Sequence, residues 1–406
     1  MRSSTDADLF DSLAISAEEH QARDEFRRSL QDFLRDELTD ERRAKYLDEF
    51  EYGGWAPEYI REFRMKLGER GFIGVGWPEE FGGGGKGMVY EVILADELEY
   101  FGAPGLDRTI TYLPQAVISF GTDEQKALLL PRLRRGEIAL CTAYSEPEAG
   151  SDLANLRLAA TATDGGFTAT GQKDYCSQAH IADYAILAAR TRTTDRKHDG
   201  ISLFIVDMHD PRIALSRHRT VAGWYHHSVY FDGVHIPEGM LLGELHKGWQ
   251  VLMGAVDHER AALSAPGEVS RQLDRLLSWA VEPRPDGRRP IDEPGVADEL
   301  ADLAMDQSVA WSYAYELAER VDAGLDVGSD GSLAQLLKRE AARKADNLGL
   351  DLLGVSAQIS RTSDRAVVGG HIEYEARDHL YYSFAAGGFD IIRNVLARRT
   401  LGLPRS

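Results

Sequence analysis

The chain has 406 residues, of which 43% are hydrophobic and 28% are charged. This length suits two or three globular domains, and the composition excludes a disordered or collagen-like protein. The net charge of −20 argues against binding to nucleic acid or to an anionic membrane surface. Two cysteines cannot form a disulfide framework, and residues 1–13 are polar. With no apolar run of about 20 residues, these features predict a cytoplasmic protein without a membrane span.

The first third of the chain is predicted to be helical. Ser16 and Glu19 have the spacing of a capping box, and they open a stretch with hydrophobic residues at helical intervals. Further helices are predicted at 57–70 and 88–101, and from a second capping box at 122–125.

From about residue 140 the pattern changes to short strands. Two strand-like runs flank Asp164-Gly165-Gly166, which is a hairpin signal. Strand-length apolar runs follow at 185–188, 201–206 and 228–236. Short strands at this spacing are typical of a small antiparallel barrel or sandwich.

The helical period returns after Gly248, with candidate helices at 248–280, 296–323, 332–353 and 374–398. Helices, then strands, then helices indicate an α+β protein and not alternating βαβ units. We therefore predict three domains: an N-terminal helical domain over 1–138, a small antiparallel β-barrel over 139–246, and a C-terminal four-helix bundle over 247–406.

Two motifs that suggest metal binding fail on their spacing. His258-Glu259 resembles half of a zinc-protease motif, but Ala262 stands where the second histidine is needed. His226-His227 would point to opposite faces of a strand. No metal site is expected.

Two polar segments in the strand region attract attention. Residues 143–152 combine hydroxyls, glycine and proline in a loop suited to a phosphate or a polar ring edge, although a plain turn has the same composition. Residues 171–179 include Tyr175 and Ser177, which are two apart and hence on one face of a strand.

Together these segments resemble the acyl-CoA dehydrogenase family. Residues 145–152 match its Thr/Ser-Glu-Pro-x-x-Gly-Ser-Asp loop, and residues 171–177 match its Gly-x-Lys-x-aromatic-x-Thr/Ser strand. Further matches follow in order along nearly the whole chain, at 71–83, 120–137, 200–206, 231–237, 243–249 and 392–404. The family's helical, β, helical fold agrees with the order of elements above.

The resemblance implies an FAD enzyme that oxidises an acyl-CoA thioester to the trans-2-enoyl-CoA. It also implies an electron-transfer flavoprotein as acceptor and a homotetramer or mixed tetramer. By position, Tyr175 would lie against the flavin face and Ser177 would hydrogen-bond flavin N5, while Ser151 would also touch the CoA arm. Four residues would meet the flavin ring and pyrophosphate: Tyr144, Ser145, Gly150 and Ser151.

The reaction needs a carboxylate that removes the α-proton. In many family members this is a glutamate near the C-terminus, but Ala386 occupies that position here. A second group of the family carries the base in a Glu-Arg pair on an earlier helix, which matches Glu259-Arg260. Glu259 shares a helical stripe with Val256 and Leu263, so we expect it to be buried as the catalytic base, with a structural ion pair as the alternative. Arg260 would line the substrate pocket or the CoA entrance.

Other positions depart from the family pattern. The Arg-x-x-x-Phe-Gly run that supports a neighbouring subunit's FAD falls near 283–287, which contains no phenylalanine, and Gly388 replaces a threonine. Two alternatives therefore stay open. One is a non-catalytic or co-catalytic subunit of a heteromeric dehydrogenase; the other is a flavin monooxygenase on the same fold. Relatives of the second kind generally lack a base in the pocket, so Glu259 argues against it.

Overall fold

A computed structural model describes residues 16–48, 50–51, 53–104 and 109–404. The polar N-terminal segment over 1–13 lies outside the described residues. The helices are α1 (Ala17–Glu37), α2 (Asp40–Tyr46), α3 (Pro57–Glu69), α4 (Met88–Phe101), α5 (Leu113–Phe120), α6 (Asp123–Arg134), α7 (Gly248–Ala262), α8 (Gly267–Val281), α9 (Val296–Asp322), α10 (Asp330–Leu353), α11 (His371–Asp378) and α12 (Phe389–Val395). The strands are β1 (Leu140–Ala143), β2 (Ala159–Thr163), β3 (Gly166–Cys176), β4 (Tyr184–Arg190), β5 (Ile201–Asp207), β6 (Ile213–Arg219), β7 (Tyr225–Pro237) and β8 (Leu241–Leu242).

The predicted order of helices, strands and helices is confirmed. Among the described residues, none of the helices combines the length and the hydropathy that crossing a bilayer requires. The chain forms two compact units. A helical unit takes in the described parts of 1–36, 88–103 and 260–406, and a strand-containing unit those of 37–87 and 104–259. The predicted domain boundaries at 138/139 and 246/247 stay predictions.

The sheet follows the order β6-β7-β3-β2-β4-β5-β8, with β1 also beside β4. The predicted hairpin is confirmed, since β2 and β3 are antiparallel with Thr163 opposite Gly166. Gly165 in its turn has a φ of 72°, a left-handed value that glycine adopts without a steric penalty.

The predicted closed antiparallel barrel is wrong in two respects. The sheet is open, because among the described strands β6 pairs with β7 alone and the two-residue β8 ends the path at β5. It is also mixed, because β1 and β2 both run parallel to β4. These two strands follow one another along the same side of β4, and the chain between them, 144–158, leaves the sheet as a loop. Hydrophobic alternation marks strands but does not fix their partners, so the sequence pattern could not show this arrangement.

The helical unit is built on α4, α8, α9 and α10, which pack on one another. The helix predicted over 248–280 is two helices, because Pro266 lies between α7 and α8 and proline disrupts a helix interior. The helix predicted over 374–398 is likewise divided into α11 and α12. The core uses small residues on α10 against larger ones on α8 and α9: Ala341, Ala342, Ala345, Leu273, Leu276, Leu300 and Leu303.

The start of α7 is fixed by a close approach to β5 at Gly248. A Cβ atom added at Gly248 would lie 2.7 Å from the backbone of Ser202 and Leu203. We therefore expect Gly248→Ala to lower the free energy of unfolding by about 1–3 kcal/mol, the usual range for overpacking. Urea denaturation measures this change. Gly239→Ala is the matched control, because its Cβ would meet open space. Equal stability of the two variants would contradict the steric argument.

Candidate active site

A buried ion pair joins the polar loop 144–158 to strand β3. Lys173 Nζ lies 2.8 Å from Glu146 Oε1 and donates to the carbonyl of Tyr144 at 2.9 Å. The Glu146 carboxylate also accepts from the backbone N–H groups of Arg157 and Leu158, at 2.7 and 2.9 Å. The Glu146 carboxylate therefore links Lys173 of β3 to the far end of the loop at Arg157 and Leu158.

The pair is almost completely shielded from water, with Lys173 at 0% and Glu146 at 8% side-chain exposure. Burial lowers the pKa of Lys173 to about 8, while the neighbouring Glu146 charge acts in the opposite direction. Burying two charges is costly unless their remaining hydrogen-bonding groups are satisfied. The Tyr144 carbonyl and the N–H groups of Arg157 and Leu158 meet that condition, so this pair sets one fixed arrangement of the loop.

Strand β3 ends in an irregular turn that exposes Tyr175. The pairing with β7 shifts register between Lys173 and Cys176, and the φ angles of Tyr175 and Gln178 are 56° and 57°. The prediction that Tyr175 and Ser177 share a face through strand alternation is therefore wrong, because a bulge interrupts the alternation. The Tyr175 ring is 59% exposed, whereas Ser177 is 4% exposed. A left-handed tyrosine persists only where neighbouring contacts hold it.

Asp174 supplies one of those contacts. Its Oδ1 accepts from the Tyr175 N–H at 2.9 Å and from the Ser228 hydroxyl of β7 at 2.8 Å. The Asp174 N–H donates to the carbonyl of Ser145 at 2.8 Å. The turn is thus tied both to β7 and to the polar loop, and Ser145, Tyr175 and Ser177 are brought into one region.

His226 also lies in this region, although the sequence predicts only that it points away from His227 and gives it no role beside Ser177. Its ring meets the Tyr175 ring edge-on at a centroid distance of 5.8 Å, and its Nδ1 lies 3.3 Å from the Ser177 hydroxyl. The adjacent His227 is buried on the other side of the strand and stacks on His180 at 4.6 Å. The opposite orientations of the two histidines confirm the strand prediction. The available signal was that His226 lies two residues from Ser228, on the same face of β7.

Gly150 and Ser151 of the loop lie on an accessible surface, whereas the Tyr144 hydroxyl is buried. Tyr144 and Ser145 are half-buried, and Gly150 and Ser151 are exposed. A Cβ atom at Gly150 would meet open space, so the backbone there is open to a ligand. With the exposed Tyr175 ring, this arrangement offers a flat aromatic surface beside hydroxyls and glycine backbone, which suits a planar heteroaromatic ring that carries a phosphate.

Glu259 lies in the last turn of α7 and is half-buried. Leu252 and Ala255, seven and four positions before it, are buried, whereas Asp257 is exposed. Glu259 is therefore on the more buried side of the helix, as its spacing predicts, but it is not fully enclosed. Leu263 falls beyond the end of α7, so it does not extend the stripe.

Arg260 lies in the helical unit, against the turn that contains Ala386. Its Nη2 is 3.4 Å from the point where a Cβ on Gly387 would stand. The turn itself is fastened by Arg339, whose Nη1 donates to the carbonyls of Tyr382, Ala385 and Gly387 at 3.4, 3.3 and 3.2 Å. Ala386 adopts a φ of 49° and carries no carboxylate, so an arginine and not a base occupies this side of the turn.

Comparison with known families accounts for this architecture. Residues 18–137 match the acyl-CoA dehydrogenase N-terminal domain, 141–234 the middle domain and 246–401 the C-terminal domain. "Acyl-CoA dehydrogenase FadE26" of Mycobacterium tuberculosis is 32% identical over 391 residues, which cover 94% of this chain and 97% of that protein. The chain belongs to the acyl-CoA dehydrogenase family. It is accordingly an FAD-dependent oxidoreductase.

Solved structures of acyl-CoA dehydrogenases agree. The ChsE4–ChsE5 complex from Mycobacterium tuberculosis contains a chain with a TM-score of 0.87 and 31% identity, covering 97% of this chain and 99% of that one. The Tcur3481–Tcur3483 steroid ACAD has a TM-score of 0.85 and 31% identity, covering 97% and 100%. The predicted family and cofactor are thus confirmed.

The accessible surface of this acyl-CoA dehydrogenase fits FAD. A flavin needs a flat contact for its ring and donors for its ring edge and pyrophosphate. The exposed Tyr175 ring offers the first, and Ser151 and the open backbone at Gly150 offer the second. The contacts through Asp174 and Lys173 hold these groups in place before any ligand arrives.

Removal of the buried cation tests the joint between loop and strand. We expect Lys173→Met to lower the free energy of unfolding by about 3–5 kcal/mol, because it leaves the Glu146 charge buried without its partner. Urea denaturation measures the change, and the FAD content of the purified variant should fall with it. Lys197→Met is the matched control, because the Lys197–Asp152 pair is half-exposed on both sides. The control should change stability by less than about 1 kcal/mol. Similar losses for both variants would contradict a special role for the buried pair.

Proposed function

We propose that this acyl-CoA dehydrogenase oxidises an acyl-CoA thioester to the trans-2-enoyl-CoA with Glu259 as the catalytic base. The α C–H bond breaks and its proton passes to the Glu259 carboxylate. The β-hydrogen leaves as hydride, and the carbon–carbon double bond forms between the two centres. FAD supplies the hydride acceptor when bound.

The observation that carries this proposal is the absence of a carboxylate at position 386 together with its presence at position 259. Ala386 leaves the C-terminal turn without a base, and Arg260 lies beside that turn. Glu259 meanwhile stands half-buried on the inner side of α7. A carboxylate partly removed from water is a stronger base than an exposed one, which suits abstraction of a proton activated by a thioester.

The cofactor and substrate contacts that we propose follow the geometry of the loop and turn. Tyr175 packs on the flavin ring and Ser177 hydrogen-bonds its N5. Ser151 also contacts the CoA arm, and Arg260 lines the pocket or the CoA entrance. The flavin ring edge and pyrophosphate are held by Tyr144, Ser145, Gly150 and Ser151.

A steroid-derived acyl-CoA is the substrate class that we propose to test first. Support comes from the Tcur3481–Tcur3483 structure, which is named a steroid ACAD and is 31% identical to this chain. Straight-chain and branched acyl-CoAs form the comparison series. We further propose an electron-transfer flavoprotein as the electron acceptor and a tetramer as the assembly.

A heteromeric enzyme is the second candidate, and the 283–294 loop favours it. Two arginines there contact residues of this chain: Arg284 lies 4.2 Å over the ring of Trp279 in the preceding helix α8, and Arg288 is 2.8 Å from Asp286. A loop organised in this way resembles a self-contained surface more than a clamp for a second subunit's FAD. The ChsE4–ChsE5 structure, named as a complex of two proteins, supports the same idea. In that case a different chain would complete the FAD site.

Replacement of the base tests the proposed reaction. We expect Glu259→Gln to bind FAD normally but to slow flavin reduction by acyl-CoA at least about 100-fold, because general-base catalysis contributes about 10²–10⁴ in rate. Anaerobic stopped-flow absorbance measures this rate. Asp257→Asn is the matched control, since it removes an exposed carboxylate from the same turn of α7.

The outcomes separate clearly. Normal reduction in Asp257→Asn with a large loss in Glu259→Gln supports the assignment. Reduction of Glu259→Gln at the wild-type rate would show that another group removes the proton.

A further inference from the structure

We propose that His226 is a positioning residue that directs the hydroxyl proton of Ser177. This inference rests on the proposed function, because it concerns the hydroxyl assigned to flavin N5. His226 would not touch substrate or cofactor. It would act through Ser177.

The Ser177 hydroxyl is held close to the His226 ring. Ser177 is 4% exposed, so its hydroxyl has little access to bulk water. Within the described part of the chain, this hydroxyl hydrogen-bonds His226 Nδ1 at 3.3 Å. Because a serine hydroxyl rotates to suit its partners, this contact decides where its single proton points.

The His226 ring is held in place by two aromatic neighbours. The buried Trp224 meets it edge-on at a centroid distance of 4.5 Å, and Tyr175 does so at 5.8 Å. Ser228, two residues along the same face of β7, fastens the turn through Asp174 at 2.8 Å. The turn that carries Ser177 and the strand that carries His226 are therefore held together by a contact other than the one between hydroxyl and imidazole.

Imidazole and hydroxyl can each donate or accept a hydrogen bond. A neutral imidazole donates or accepts at Nδ1 according to its tautomer. When Nδ1 donates to Ser177 Oγ, the serine proton is available to an acceptor in the flavin site. When Nδ1 accepts that proton, a lone pair of Ser177 Oγ is available to a donor. Flavin N5 is an acceptor before hydride transfer and a donor after it, so His226 allows Ser177 to serve both states. Exchange with solvent interconverts the tautomers without changing the imidazole charge.

Three single variants and one double variant isolate this role. His226→Phe keeps a ring for Trp224 and Tyr175 to pack against and removes the nitrogen. His226→Asn is the conservative variant, because its amide both donates and accepts. Ser177→Ala removes the hydroxyl itself, and it is combined with His226→Phe in a double variant.

The main readout is the reduction potential of bound FAD, measured by dye equilibration. A loss of packing alone would not shift this potential equally in the His226 and Ser177 variants. We expect His226→Phe and Ser177→Ala to shift the potential in the same direction, the double variant to shift it no further, and His226→Asn to recover at least part of the shift. Flavin reduction by substrate should slow about tenfold in His226→Phe, which corresponds to the net loss of one hydrogen bond. An unchanged potential in His226→Phe, or additive shifts in the double variant, would overturn the proposal.

A second readout uses the FAD-free chain, so that failure of the proposed function can be told apart from failure of this inference. We expect Ser177→Ala to move the ¹⁵N resonance of His226 Nδ1, because it removes the hydrogen-bond partner. An unmoved resonance overturns the inference even if the enzyme is an active dehydrogenase. Conversely, a chain that shows this coupling but is not reduced by any acyl-CoA contradicts the proposed function alone.

Discussion

The buried Glu146–Lys173 ion pair is the interaction on which the rest of the candidate site depends. Strands β1 and β2 both lie along β4, so the chain between them has to leave the sheet. Without an anchor this stretch would be an ordinary surface loop. The Lys173 ammonium draws it back onto β3, and the Glu146 carboxylate fixes its far end through two backbone N–H groups. A charge pair shielded from water is costly to form, but it stabilises one defined geometry of the loop.

Backbone conformations that side chains rarely adopt occur at one turn in each of the two units. Tyr175 and Gln178 are left-handed in the turn that follows Lys173, and Ala386 is left-handed in the turn that Arg339 fastens. Such conformations cost free energy, and they persist where surrounding contacts determine them. At the first turn the result is an exposed aromatic ring beside a buried hydroxyl. At the second, Arg339 fastens a turn whose left-handed residue, Ala386, carries no carboxylate, and the base that we propose is therefore Glu259.

Much of this organisation could be predicted from the sequence, for identifiable reasons. The hairpin at Asp164–Gly166 carries strong local turn chemistry, and the Ser-Glu-Pro loop and Gly-x-Lys strand are specific enough to indicate the family. The open, mixed sheet could not be predicted, because pairing of β1 and β2 with β4 depends on partners distant in sequence. For the same reason, the sequence could not predict the contact of Lys173 with Glu146 or the contact of His226 with Ser177. Period-two alternation also misplaced Tyr175 relative to Ser177, because one bulge reverses it. Pro266 divides the helix that the hydrophobic period predicts over 248–280, because proline disrupts a helix interior although the apolar spacing continues past it.

We propose that this chain carries both a working flavin site and its own catalytic base. The most direct test is to purify the chain alone, remove oxygen and add acyl-CoAs, steroid-derived thioesters among them, while recording the flavin absorbance. We expect a yellow protein whose flavin absorbance bleaches with at least one acyl-CoA, together with formation of the matching enoyl-CoA. A colourless chain that gains FAD only with a second, different subunit would contradict it. So would bound flavin that no acyl-CoA in the series reduces.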